Sequence, residues 1–163
     1  MNGFEVKEAN KSEAEILRDM MISLRKHEEK ANDYTWKITG RGEDLLMDEI
    51  EKMIEKHNCR IFVSKSSEEV LGFISGEVKE QKKYKPHFYG FISSLFVKKE
   101  YRRKGIAKAL LQKLLKFFKS EGIEEITLRY IVGNHEGESF WKDLEFKEVV
   151  TTASRGKLDD LLD

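Results

Sequence analysis

Apolar residues recur at two periods along the chain, and each switch of period marks a new element. Phe4-Glu5-Val6-Lys7 alternates apolar with polar and predicts a first, half-buried strand. Ser12 with Glu15 three residues on has the form of a capping box. Ile16, Leu17, Met20, Met21 and Leu24 then fall on one face of a helix. A stretch rich in Lys and Glu leads to residues 33–38, beyond which Gly40 and Gly42 are expected to break any helix. Over residues 43–57 the helical period returns, with Leu45, Leu46, Ile50, Met53 and Ile54 on one side.

Residues 60–63 and 70–76 read as two strands joined by a polar turn over 64–69, and residues 81–86 as a loop with Lys82, Lys83, Tyr84 and Lys85 in solvent. From residue 88 an aromatic and β-branched strand is predicted, followed by a short basic turn that holds residues 102–107. A helix follows, with Ile106, Leu110, Leu114, Phe117 and Phe118 at helical spacing. Residues 125–132 predict another strand, which Gly133-Asn134 stops before a further helix. Residues 147–150 predict a closing strand. The order β-α-α-β-β-β-α-β-α-β is that of an α/β fold. With no repeat, low-complexity linker or composition break, residues 1–163 read as one domain whose last stretch, about 152–163, is a frayed or partly helical tail.

Composition narrows the class. Charged residues make up 37% of the chain and hydrophobic ones 39%, so the chain has a core and a heavily charged surface. Lys+Arg and Asp+Glu balance at 30 each, which argues against a dedicated nucleic-acid binder. Cys59 stands alone, so no internal disulfide framework exists and a cytoplasmic, reducing setting is expected. No apolar run approaches the roughly 20 residues needed to span a bilayer, and residues 1–5 do not open a secretory signal. His27, His57, His87 and His135 lack the close spacing of a metal site, and no metal is expected.

Candidate chemistry concentrates between residues 88 and 120. A strand that feeds a glycine-containing turn and then a helix is suited to hold a phosphate, because the first N–H groups of the helix lack intrahelical partners and the helix dipole adds positive charge. Gly105 and Ala107 leave that backbone approachable. From Lys98 to Lys119 the basic residues Lys98, Lys99, Arg102, Arg103, Lys104, Lys108, Lys113, Lys116 and Lys119 face the single acid Glu100. In a neutral chain such a local excess fits a small polyanion. Taken alone, the turn is equally well an ordinary connection with a solvated basic edge. A nucleotide-phosphate binder fits less well, since no Gly-Lys-Ser/Thr follows the turn.

The order Leu95-Phe96-Val97, then Glu100-Tyr101-Arg102-Arg103-Lys104-Gly105-Ile106-Ala107, then Leu110-Leu111 resembles the acetyl-CoA signature of the GNAT superfamily of N-acetyltransferases, with its core Gln/Arg-x-x-Gly-x-Gly/Ala. A second stretch, LRYIVGNHEGESFWKDLEF from Leu128 to Phe146, resembles the family's strand, Asn and helix, with Asn134, Phe140, Trp141, Leu144 and Phe146 at matching spacing. The resemblance implies a GNAT fold, a mixed central sheet of six to seven strands flanked by about four helices. It implies transfer of an acetyl group from acetyl-CoA to a primary amine, on a small molecule or a protein N-terminus, by direct attack in a ternary complex. Coenzyme A would be held by Leu95, Phe96, Val97, Arg102, Arg103, Lys104, Gly105, Ile106, Ala107, Lys108, Asn134 and Phe140. The Leu95 amide would face the thioester carbonyl as its oxygen gains charge. Neither a membrane nor a nucleic acid is expected as a partner, and a homodimer is left open.

Several positions depart from the pattern or carry two readings. Many members place a tyrosine where Trp141 stands, as the acid that protonates the departing thiolate. An indole N–H cannot serve that way near neutral pH, so packing is the expected role. Glu145 stands where the family usually has Gly in a turn. The Glu that the histone-modifying branch uses as a base corresponds to Phe91, which leaves Tyr84, His87, Tyr89, Glu77 and Tyr130 as candidates by proximity. Asn134 is equally well a helix cap, and Tyr34 and Trp36 fit either an acceptor wall or a core. Trp141 and Phe91 keep a second reading open, that of a catalytically weak or inactive CoA-binding sensor or partner-binding module.

Overall fold

The computed structural model describes residues 3–67 and 69–155. Its strands are β1 (Glu5–Glu8), β2 (Cys59–Ser66), β3 (Glu69–Glu80), β4 (Phe88–Val97) and β5 (Ile126–Leu128), and its helices α1 (Ala14–Ala31), α2 (Gly40–Glu55), α3 (Ile106–Ser120) and α4 (His135–Asp143). The chain divides into two compact units, one of Met1–Ser23 with Thr39–Arg129, the other of Leu24–Ile38 with Tyr130–Asp163.

The first unit is a sheet in the order β1-β2-β3-β4-β5, antiparallel through β4 and parallel between β4 and β5. β2 and β3 are apolar on both faces because helices cover both. On one face Ile61, Val63 and Phe73 join Ala14, Leu17, Met20 and Met21 of α1 and Ile50 of α2 in a buried cluster. On the other, Leu110, Leu114 and Phe118 of α3 are buried. Phe118 lies so close over Gly76 and Gly90 that a Cβ on either glycine would sit 2.9 or 2.8 Å from its ring. Two strand glycines thus set how near α3 comes to the sheet.

Four expectations need correction. The capping box is Asn10 with Glu13, not Ser12 with Glu15. The Asn10 side chain accepts from the Ser12 N–H, and Glu13 Oε2 accepts from the Asn10 N–H at 2.9 Å. Glu13 also reaches Lys7 at 3.2 Å and Lys65 at 3.1 Å on the neighbouring strands, contacts that the helical pattern could not reveal. Gly40 and Gly42 do not break a helix. They form the first turn of α2, where backbone N–H groups are unpaired in any case, and Thr39 caps it by accepting from the Gly42 N–H. Leu45, placed on the apolar side, is exposed. Among the described residues the sheet has five strands rather than six or seven. β5 spans only 126–128, and residues 147–150 form no strand, with Val149 and Val150 exposed. Residues 151–155 are irregular and exposed, and the rest of the expected tail lies outside the described residues.

In the second unit, α4 ends in a Schellman motif. The Phe146 N–H donates to Trp141 O, the Glu145 N–H donates to Lys142 O, and the Phe146 and Trp141 rings meet edge to face at 5.3 Å. The residue at the turn is Glu145, at φ 64. α3 ends in the same motif within the first unit, with Gly122 at φ 73 in the equivalent place. A Cβ in the left-handed region costs on the order of 1 kcal/mol. Glu145→Gly is therefore expected to stabilise the protein by about 1 kcal/mol in urea unfolding, whereas Gly122→Ala loses a similar amount.

Glu13 supplies a second test. Burial pushes its carboxyl up, but the Asn10 N–H and the Lys65 and Lys7 ammoniums outweigh burial and hold it below its ordinary 4.5. A depressed carboxyl contributes stability that is complete above pH 4.5 and is lost as pH falls through the folded value. Glu13→Gln should cost about 2 kcal/mol near neutral pH. The gap between variant and parent should close as urea melts are taken further below pH 4.5.

Candidate active site at the end of β4

β4 is paired on both sides for only part of its length. Gly90, Phe91 and Ile92 lie beside Ile126, Thr127 and Leu128 of β5, and the pairing ends there. Immediately beyond, the register against β3 slips. Ser75 is opposite Ser94 and Gly76 opposite Ile92, which leaves Ser93 as the extra residue of a bulge. A bulge turns the strand and ends its pairing on the far side.

Past the bulge, Leu95, Phe96 and Val97 remain paired with Ile74, Phe73 and Gly72. The Lys98 N–H donates to Leu71 O of the chain just before Gly72. Since backbone groups of an antiparallel strand alternate sides, those of Leu95 and Val97 face away from β3. The Val97 carbonyl accepts from Arg102 Nε at 3.0 Å. Among the described residues no strand lies beside Leu95 on that side. Ser64 and Ser75, fully buried in β2 and β3, have hydroxyls without a hydrogen-bond partner.

The basic turn follows at once. A 3-10 turn at Lys99–Tyr101 leads to Arg102, then Arg103 at φ 62 and Gly105 at φ 82, the N-cap of α3. Gly105 O accepts from the Ala109 N–H, no side chain caps the helix, and no acid stands in its first turn. A Cβ at Gly105 would meet no protein atom within 4 Å, so the turn faces open space. Ile106 is buried, so only its backbone is offered there. Arg103, Lys104, Gly105 and Lys108 are exposed. Lys104 Nζ lies 5.2 Å above the Tyr101 ring. Glu69 ties the turn to β3, accepting from Lys98 Nζ at 2.7 Å and from the Tyr101 hydroxyl at 2.8 Å. These two bonds hold the Glu69 carboxyl below its usual range, and the bond to Glu69 pushes the Tyr101 phenol up.

Leu95, Phe96 and Val97 thus lie one short turn from residues 102–108. Asn134 and Phe140 belong to the second unit. Asn134 is the N-cap of α4, accepting from the Gly137 N–H and facing His27 Nε2 at 3.3 Å. Asn134 and His27, with Lys30 and His135, line an open cavity of about 230 Å³. Phe140 is half-buried and meets the buried Trp141 edge to face at 4.8 Å. Trp141 is a packing residue, as its chemistry implied. Tyr34 and Trp36 are exposed, so neither belongs to a core.

The candidate bases separate. Tyr130 donates to Glu148, a bond that pushes its phenol up to about 12, far from the range a base needs near neutral pH. Tyr84 is exposed. Glu77 lies directly across from Phe91 on β3 and pairs with Lys79 at 3.3 Å, and the Lys79 ammonium sits 4.1 Å over the Phe91 ring. Sequence reading missed this cluster. The signal was present in the alternation of Glu77 and Lys79 on one face, but pairing them with Phe91 requires the register. Among the described residues no group of three His, Cys, Asp or Glu side chains could hold a metal ion, and no helix is long and apolar enough to cross a membrane.

The model of the acetyltransferase (GNAT) family fits residues 21–146, and the chain belongs to that family. An N-alpha-acetyltransferase of Saccharolobus solfataricus is 31% identical over 102 residues, 59% of this chain and 61% of the relative. The chain therefore matches about three fifths of the length of such curated relatives. Solved structures agree on the fold. A GCN5-related N-acetyltransferase from Ralstonia eutropha superposes with a TM-score of 0.78 at 15% identity, covering 93% of this chain and 97% of its own. An aminoglycoside N-acetyltransferase in complex with CoA gives 0.73 at 16% identity over 95% of each chain.

Proposed function

We propose that this protein is an acetyl-CoA-dependent N-acetyltransferase whose acceptor is a primary amine. The observation that carries the reading is the edge of β4 at Leu95, which has no neighbouring strand among the described residues, one turn before the uncapped start of α3. The N–H groups of the first turn of α3, with Arg103, Lys104 and Lys108 around them, suit the coenzyme's diphosphate. The edge of Leu95–Val97 suits its amide-bearing arm, and the Leu95 N–H is the donor for oxygen of the reacting carbonyl. Acetyl-CoA supplies the acyl group as a thioester. The neutral amine forms a C–N bond to the carbonyl carbon, the C–S bond breaks, and the ammonium's two lost protons go one to solvent and one to the thiolate. The chain's own part is mainly to hold amine and thioester together. The relatives' name makes a peptide α-amino group one of the first acceptors to try, beside small amines.

Two measurements test this. Gly105→Glu should abolish CoA binding in calorimetry, while Gly105→Ala, with the same backbone strain at φ 82 but no charge, should bind about a hundredfold more tightly than the Glu variant. Equal affinities would remove the diphosphate from this turn. The second reading, a sensor without turnover, rests on Trp141 in the acid's place. Amine-dependent release of free thiol from acetyl-CoA should occur in the parent and persist within about threefold in Trp141→Phe, because the indole packs rather than donates protons. Thiol release in no tested amine, with CoA still bound, would favour the sensor.

A further inference from the structure

Glu77, Lys79 and Phe91 form an assembled ammonium site. Glu77 and Phe91 are cross-strand partners on one face of the sheet, and Lys79, two residues after Glu77, shares that face. Its ammonium lies 3.3 Å from the Glu77 carboxylate and 4.1 Å from the centre of the Phe91 ring, so carboxylate and aromatic face hold one cation together. Neither charged side chain is sealed in. Glu77 is 28% and Lys79 38% exposed, which allows another cation to exchange with the resident one. Within the first unit the buried cluster under α1 and α2 uses Ile61, Val63 and Phe73, and does not extend to this end of the face.

The position relative to the proposed transfer edge decides what the site can do. Phe91 and Leu95 are four residues apart on β4 with the bulge between them, a separation on the order of 10 Å. That is too far for one amine nitrogen to touch the carboxylate while attacking a carbonyl at the Leu95 amide. It suits a molecule with two cationic ends. We infer that Glu77 and Phe91 form an acceptor subsite for a second cationic group, about 10 Å from the amine that receives the acetyl group, and that Lys79 fills it at rest. The inference rests on the acetyltransferase reading for the location of the reacting amine. The cation site itself stands on the geometry of β3 and β4.

Octylamine and the matching terminal diamine, diaminooctane, separate the two. The parent should show a KM for diaminooctane at least about tenfold below that for octylamine. Glu77→Gln should raise the diamine's KM about tenfold and leave octylamine unchanged, and Lys79→Met should lower the diamine's KM by removing the resident competitor. Equal KM values for the two amines in the parent, or a Glu77→Gln effect that falls alike on both, would overturn the subsite. If neither amine is turned over, the transferase reading fails separately. Calorimetry with the CoA-loaded protein then decides the subsite: diamine binding lost in Glu77→Gln supports it, and no diamine binding to the parent overturns it. Thermal melting of each variant checks that the sheet is intact.

Discussion

The structure turns on a strand that cannot keep its partner. A backbone N–H or C=O away from water needs a hydrogen bond, so a strand inside a sheet is normally paired on both edges. β4 meets that requirement as far as Ile92, where β5 runs beside it, and then Ser93 adds a residue that β3 does not match. The bulge bends the strand out of pairing with β5 while β3 keeps hold of its other edge. The result is a sheet in which, among the described residues, the backbone of Leu95 has no strand beside it on that side. That stretch is held firmly, since Leu95 and Val97 lie across from the buried Ile74 and from Gly72, whose missing side chain lets the Phe96 carbonyl come close.

The same chain direction that opens the edge also aims α3. From Val97 the backbone needs only the 3-10 turn and two left-handed residues, Arg103 and Gly105, to start a helix at Ile106. That helix is fixed from behind: Ile106, Leu110, Leu114 and Phe118 are buried, and the ring of Phe118 rests on two glycines of the sheet. Its start is left without a capping side chain. Gly there, followed by no acid, keeps the positive end of the dipole available to an anion.

How much of this was legible depended on whether a feature is local. The strand, basic turn and helix from Phe88 to Ser120 were readable because their apolar periods and the glycine are local signals, and they match the elements found. Gly40 and Gly42 misled because propensity is a statement about helix interiors, and a Thr39 cap moves them into the first turn. Ser12 misled because Asn10 offers a competing cap, and the choice was settled by lysines on β1 and β2. The pattern over residues 147–150 satisfied strand rules, yet a strand needs an edge to pair with, and that is a tertiary fact. Register, too, was hidden. Glu77 and Phe91 are fourteen positions apart and met only through the β3–β4 pairing.

Trp141 shows how packing can take a position away from chemistry. It is the residue of α4 whose carbonyl closes the Schellman motif, and its ring is gripped between Phe140 and Phe146. The aromatic contact between the ends of that motif is part of what stops the helix, so this position serves the cap first. A positioned acid contributes typically 10²–10⁴-fold to a rate, about 3–5 kcal/mol of barrier. A thiolate is a tolerable leaving group without one, since a free thiol has a pKa near 8.5 and recovers its proton from water. The burden then falls on holding the amine and the thioester in line, where intramolecular positioning is worth about 7–11 kcal/mol. Under the proposed reading that work would fall to main-chain groups fixed by β3 and α3, which no side-chain substitution at position 141 removes.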